Sequence, residues 1–261
     1  MPAEPDMTRR GLALRVGAVW FAIAVIAIWQ LVFGAGIFSK AYFTSPSRIF
    51  DALLALQARG ELWLPLTATC LRMMYGWALA SVLGIAAGAA LAQSARVREF
   101  IEPTLEFLRP LPASAIIPPA ILLLGLTPQM AVTVIAFGSI WPVLLGSYHG
   151  FRNVDDRIIE VAKLQEMTKI QFVWKIALPS ALPDIFAGLR INLAIALILA
   201  VVVEFQAGLT GLGFNIMIAQ RLFRTSELYA GIALLGLVGL LTSQALVVLE
   251  RRLLYWRTVS R

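Results

Sequence analysis

Six apolar runs, most of them about the thickness of a bilayer, constrain this chain more than any other feature. They fall at roughly 17–36, 67–92, 111–126, 129–148, 186–207 and 229–249, where one helical crossing needs about 17–25 apolar residues. Hydrophobic residues make up 59% of the chain and charged residues only 14%. A soluble domain carries roughly a quarter charged residues, so the expected fold is all-α and polytopic, with about six transmembrane helices. The third run is short. The first runs from Val16 to Phe33 with only Gln30 interrupting, longer than a signal-peptide core of about 7–15 residues, and reads as a retained span.

The 22 basic residues outnumber 15 acidic ones, yet they cluster beside apolar runs and so carry no nucleic-acid signal. With the N-terminus inside, sixteen Lys and Arg fall on inner segments and six on outer ones. Both termini are therefore expected in the cytoplasm. One cysteine, Cys70, excludes an internal disulfide, and a single histidine, His149, removes His-cluster metal chemistry. No metal or catalytic site is expected.

The chain reads as an N-terminal region, 1–66, holding a cytoplasmic tail, the first span and an outer loop, followed by a membrane core over 67–261. In the outer loop, Ser45-Pro46-Ser47 precedes an amphipathic stretch (Ile49, Leu53, Leu54, Leu56) expected at the interface. Ala80, Gly84 and Gly88 recur every four residues in the second span and predict a close helix contact. Gly231, Gly236 and Gly239 in the last span are a looser version. Pro118-Pro119 interrupts the third span. Two prolines remove two helix hydrogen bonds, so this segment should be covered by neighbours, either along a transport path or as a kinked packing helix.

Between the fourth and fifth spans lies a charged insert, 150–183. Asp155 and Asp156 suit a helix start. Ile158, Val161, Ala162 and Gln165 then follow at helical spacing, opposite Arg157, Glu160 and Lys163. Thr168 with Gln171 three residues on reads as a capping box opening a second helix, whose Ile170, Val173, Trp174 and Ala177 share a face. Pro179 and Pro183 should end that helix before the fifth span. The expectation is a helix–turn–helix along the membrane, with Met167, Thr168 and Lys169 at its exposed bend.

This insert resembles the "EAA" loop of binding-protein-dependent ABC importer permeases. Glu160, Ala162, Phe172, Leu178, Pro179, Pro183, Gly188 and Arg190 fall in the positions of that pattern. Val161 replaces its first Ala, and Glu166 stands where its Gly belongs. Further matches look like the nitrate/sulfonate/taurine branch. They are Thr69-Cys-Leu-Arg72, Gly76-Trp77, Pro103, Leu108-Arg109-Pro110, Gly125, Glu204, Gly211-Leu-Gly213, Glu250-Arg251-Arg252 and Trp256-Arg257.

The resemblance implies a type I importer permease of the bacterial inner membrane. It would pair with a second permease copy, two ATPase subunits and a periplasmic or lipid-anchored solute-binding protein. Its docking set would be Glu160, Ala162, Glu166, Met167, Thr168, Lys169, Gln171, Phe172 and Pro179. None of the four lysines follows a glycine, so the Gly-Lys-[Ser/Thr] of a nucleotide loop is absent, and ATP with Mg would sit on the partner ATPase. The solute implied is a small anion such as an alkanesulfonate, taurine or nitrate; the alternatives are a thiamine-precursor pyrimidine or another small metabolite, and an ATP-independent carrier or channel.

Candidates for the translocation path are Arg72, Pro118, Pro119, Asn192 and Glu204. Glu204 is the one acid placed inside a span, near its outer end, and ionisable groups there are costly and often functional. Arg72 either pairs with it or anchors at a headgroup. Asn192 either meets solute or joins helices.

Overall fold

The computed structural model describes residues 7–39 and 41–255; Lys40, Trp256, Arg257 and Arg261 lie outside the described residues, as do the side chains of Arg9, Arg10, Arg15 and Asp156. All regular structure among the described residues is helical. In chain order the helices are α1 (Met7–Gly34), α2 (Pro46–Ala58), α3 (Trp63–Gln93), α4 (Ala95–Leu108), α5 (Ala113–Leu124), α6 (Pro128–Arg152), α7 (Asp156–Leu164) and α8 (Lys169–Phe172). A π-helical turn (Val173–Ala177) follows, then α9 (Leu178–Ala207), α10 (Leu212–Arg221) and α11 (Thr225–Leu253).

Starts follow local chemistry. The side chains of Ser45, Ser94 and Thr127 accept from the backbone N–H three residues on, and Pro46 and Pro128 occupy the first helical turn, where no N–H is needed.

Four helical stretches are long and apolar enough to cross a membrane: α3, α6, the run Lys169–Ala207, and α11. A fifth arises if α4 and α5, bent by 96° at their junction, count as one crossing, and Trp20–Gly34 in α1 is a shorter apolar stretch. Six spans were expected, the third of them short. The third, placed at 111–126, is instead the 12-residue α5. Pro118 and Pro119 do not interrupt it, because both lie inside the helix. Nor are they covered: both are exposed, as are Leu122 and Leu123 beside them.

The prolines of the insert also depart from expectation. Pro179 and Pro183 do not end the helix; it runs unbroken from Lys169 to Ala207. The π turn is the physical reason. Leu178 N–H reaches back five residues to the Val173 carbonyl, which widens the turn that Pro179 enters and relieves the clash of its ring with the preceding carbonyls.

The chain forms two compact units. The larger, Leu64–Phe214 with Leu234–Arg261, is built around α6. On one face of α6 the small residues of α3 let backbones meet. A Cβ on Gly88 would lie 2.6 Å from the Leu144 carbonyl oxygen and 2.8 Å from Tyr148 N, and Ala80 is wholly buried. The expected close contact is thus made within one chain. On its other face α6 meets α9, where a Cβ on Gly188 would lie 2.8 Å from Val143 Cα. Met73, Ile117, Val134, Ile135, Ile185 and Val203 fill the core between them. In α11, Gly239 faces Leu197, whereas Gly236 has open space around it.

The smaller unit, Met1–Trp63 with Asn215–Ala233, is tied by polar and ring contacts. Trp29 Nε1 donates to the Thr44 carbonyl at 2.8 Å, and Phe43 packs with tilted rings against Trp29, Phe33 and Phe38. Ile49 is the buried residue of α2, while Leu54 is exposed. Arg59 bridges to Glu227 at 2.9 Å, an exposed pair that raises the guanidinium pKa further.

Candidate functional site

The insert between α6 and α9 is built from two caps and one strained bend. Asp155 caps α7 by accepting from Arg157 N at 2.9 Å. Glu166 N–H donates to the Lys163 carbonyl and Met167 N–H to the Ala162 carbonyl, the paired bonds of a Schellman ending. That ending requires a left-handed residue, and Glu166 supplies it at φ 51°. The family pattern keeps Gly at this position, so the structure gives the departure its physical meaning: Glu166 holds the glycine's conformation at a steric cost. The Thr168 capping box forms as expected, with Thr168 Oγ1 accepting from Gln171 N and Gln171 Oε1 from Thr168 N at 3.0 Å.

Side-chain directions differ from the expected apolar face. Ala162 and Ala177 are buried against the bundle, with Phe172 and Val173 partly so. Ile158, Val161, Ile170 and Trp174 turn outward, and Leu164 is 84% exposed. Sequence reasoning missed Leu164, although its place at the end of a charged turn was visible. Glu160, Glu166, Thr168, Lys169 and Gln171 are exposed, Pro179 is half-buried, and Met167 is not at the tip but folds partly under the loop. The insert thus offers large apolar side chains among charges.

At the far end of α9 lies a closed polar cluster. Glu204 is fully buried, and its Oε1 accepts from Arg72 Nη1 at 2.7 Å and from Thr69 Oγ1 at 2.8 Å. Its Oε2 accepts from Gly213 N at 2.8 Å. Thr69 Oγ1 in turn accepts from Leu212 N, and Arg72 Nη1 also donates to the Thr210 carbonyl. Any side chain on Gly211 would fall on the carboxylate. Both carboxylate oxygens of Glu204 accept hydrogen bonds, as a buried charge requires. The network staples α3, the end of α9 and the start of α10 together. Pairing of Arg72 with Glu204 was one of the sequence alternatives; the contribution of Thr69 was not anticipated, though it stands one turn from Arg72.

The remaining path candidates do not join this cluster. Asn192 is buried between α9 and α3, its Nδ2 donating to Ser81 Oγ at 3.0 Å, while Trp77 Nε1 donates to the Leu189 carbonyl nearby. That bond joins α9 to α3, the helix-joining alternative. Pro118 and Pro119 stand apart on α5.

The putative aliphatic sulfonates transport permease protein SsuC of Bacillus subtilis is 35% identical over 233 residues, covering 89% of this chain and 84% of that protein. The taurine transport system permease protein TauC of Escherichia coli is 28% identical over 252 residues, covering 95% and 90%. The bicarbonate transport system permease protein CmpB of a Synechocystis strain is 28% identical over 239 residues, covering 88% and 85%. In fold, the inward-facing MetNI methionine ABC transporter is similar, with a TM-score of 0.64 at 18% identity over 74% of this chain and 97% of that one. The profile of the binding-protein-dependent transport system inner membrane component family matches residues 80–255. With an exposed helical insert rooted in a spanning helix, and with these relatives, the chain belongs to that family, in the nitrate/sulfonate/taurine branch of ABC importer permeases.

Proposed function

We propose that this chain is the translocation subunit of an ATP-driven importer for a small anion of the sulfonate, taurine, nitrate or bicarbonate class. It hydrolyses nothing itself. A separate ATPase docks on the insert, and a solute-binding protein delivers the anion from outside. One observation carries the reading: the insert's second helix continues without a break into α9, from Lys169 to Ala207. A push on Ile170 or Trp174 therefore moves a spanning helix as one body, with no loop to absorb it. The outward Leu164, Ile170 and Trp174 have the exposed apolar character of an interface centre.

A second copy of the chain fits the uncovered face of α5. Pro118 and Pro119 each lack an N–H, leaving helix carbonyls without donors, and such backbone is not stable facing lipid. Leu122 and Leu123, 87% and 84% exposed, flank it.

The test is recovery of the ATPase on the tagged permease. Trp174→Glu and Lys169→Glu replace exposed side chains, so membrane insertion should be unaffected while ATPase recovery and uptake fall together. Recovery of the ATPase at the native level on both variants would refute the docking assignment. Competition among taurine, an alkanesulfonate, nitrate and bicarbonate for uptake by the complete importer then assigns the anion. A pyrimidine outcompeting all four would reject the anion class.

A further inference from the structure

A cleft of about 470 Å³ lies beneath the insert, where the ends of α3 and α6 meet α7, α8 and the π turn. Its cations come from three different elements: Arg152 closes α6, Lys163 sits in the last turn of α7, and Lys169 opens α8. Gln93 adds an amide, and no carboxylate lines it. Among the described residues, no acid lies within ion-pair distance of any of the three.

One of these cations is held in place. Arg152 Nη1 donates to Tyr148 Oη at 2.5 Å, and its guanidinium stands 5.6 Å from the Tyr148 ring centre. The remaining wall is apolar: Phe151, Val154, Ile159, Ala162, Phe172, Val173 and Ala177. Topology alone asks only that cations flank spans on one side. It does not ask three elements to converge on one acid-free cleft with an apolar wall.

We infer that this cleft binds a phosphate-type oxyanion, such as the headgroup of an anionic phospholipid, at the inner face of the membrane. The inference rests on the proposed orientation of the insert toward the cytoplasm. The apolar wall beside the charges favours an amphiphile over a carboxylate from the docked ATPase. Three fixed elements bound through one anion would also set the angle at which the insert leaves the bundle.

The experiment uses the purified importer complex in detergent, with bound phosphatidylglycerol counted by native mass spectrometry and inorganic phosphate titrated in parallel. The variant is Arg152→Gln/Lys163→Gln, which leaves Lys169 and the outward apolar residues untouched. Each cation near an anionic headgroup is worth roughly fivefold in affinity, so phosphatidylglycerol binding should weaken roughly thirtyfold. The control Arg251→Gln/Arg252→Gln removes two exposed cations at the end of α11 that do not line this cleft, and should change nothing.

Displacement of the lipid by inorganic phosphate would assign a free oxyanion; lipid retained against phosphate would assign the headgroup. Unchanged lipid binding in the cleft variant, or equal loss in the control, overturns the inference. So does loss of ATPase recovery with lipid binding intact in the cleft variant, because the cleft then serves the ATPase. Unaltered elution on size exclusion shows that the variant is folded, and the single Lys163→Gln, at an exposed residue, repeats the measurement. Failure of Trp174→Glu to release the ATPase would strike the docking assignment alone and leave this result standing.

Discussion

The Glu204 cluster yields a prediction that separates a structural staple from a path-lining role. Glu204→Gln keeps the shape and an acceptor for Thr69 Oγ1 and Gly213 N, but leaves the Arg72 guanidinium, whose side chain is 12% exposed, without its counter-charge. Removing one partner of a buried pair costs about 3–5 kcal/mol, because the other charge stays desolvated and unpaired. For a chain of this size each kcal/mol moves the melting temperature by about 2–4 °C, so a fall of roughly 10 °C is expected. Arg72→Met should cost a similar amount by stranding the carboxylate. The double variant removes both charges while the Gln carbonyl still accepts from Gly213, so it should be more stable than either single variant.

The assay is thermal unfolding in one detergent at one scan rate, since membrane proteins commonly unfold irreversibly, with uptake measured on the same four proteins. A double variant as unstable as the sum of the singles would refute the pairing, because independent sites add. If stability returns and uptake returns with it, the pair is a staple; if stability returns without uptake, a charged group is needed on the path itself.

Other perturbations test separate parts of the argument. Glu166→Gly relieves a left-handed non-glycine residue and should stabilise by about 0.5–1 kcal/mol net of glycine's greater chain entropy, visible as a higher melting temperature with ATPase recovery kept. Phe223→Gly, at φ 53° in the same kind of ending after α10, should shift in the same direction. A drop in either would mean that side-chain contacts outweigh the strain. Gly88→Leu places bulk against the α6 backbone and should abolish stable insertion, measured as loss of detergent-soluble protein; normal yield would refute the packing of α3 on α6. Deleting Lys175 removes the extra residue of the π turn, so the Pro179 ring should clash with the carbonyls of an ordinary α turn and the helix should hinge there. ATPase recovery should then fall with the bundle still folded, and retained recovery would argue against a rigid connection.

Much of this was legible from local chemistry. The Thr168–Gln171 capping box, the helix start at Asp155 and the small-residue face of α3 are each decided by neighbours a few positions away, and each forms as expected. The errors came from treating proline as a stop. Pro118 and Pro119 sit within a helix, and Pro179 is accommodated by a π turn, a feature that depends on the register of the helix as a whole. The outward turn of Leu164 and Trp174 was also hidden. Periodicity identifies an apolar face but not what covers it, and a face reserved for another protein has the same pattern as one buried at home. Likewise, the spacing of Thr69 and Arg72 put them on one face of α3, but their meeting with Glu204 spans 135 and 132 residues of chain.

The strained bend and the continuous helix belong to one mechanical scheme. A lever transmits motion only if its free end keeps its shape and its root does not hinge. At the free end the Schellman bonds and the capping box fix the turn from both sides, so that even a Glu at φ 51° is held there. At the root the π turn lets the chain keep helical hydrogen bonding across Pro179, where a simple break would have left a flexible joint. At the far end of the same helix the Glu204 cluster ties α9 to α3 and to the first residues of α10. A rotation begun at Trp174 therefore has few soft points before Ala207, and must emerge as movement of α3 and α10 or not at all.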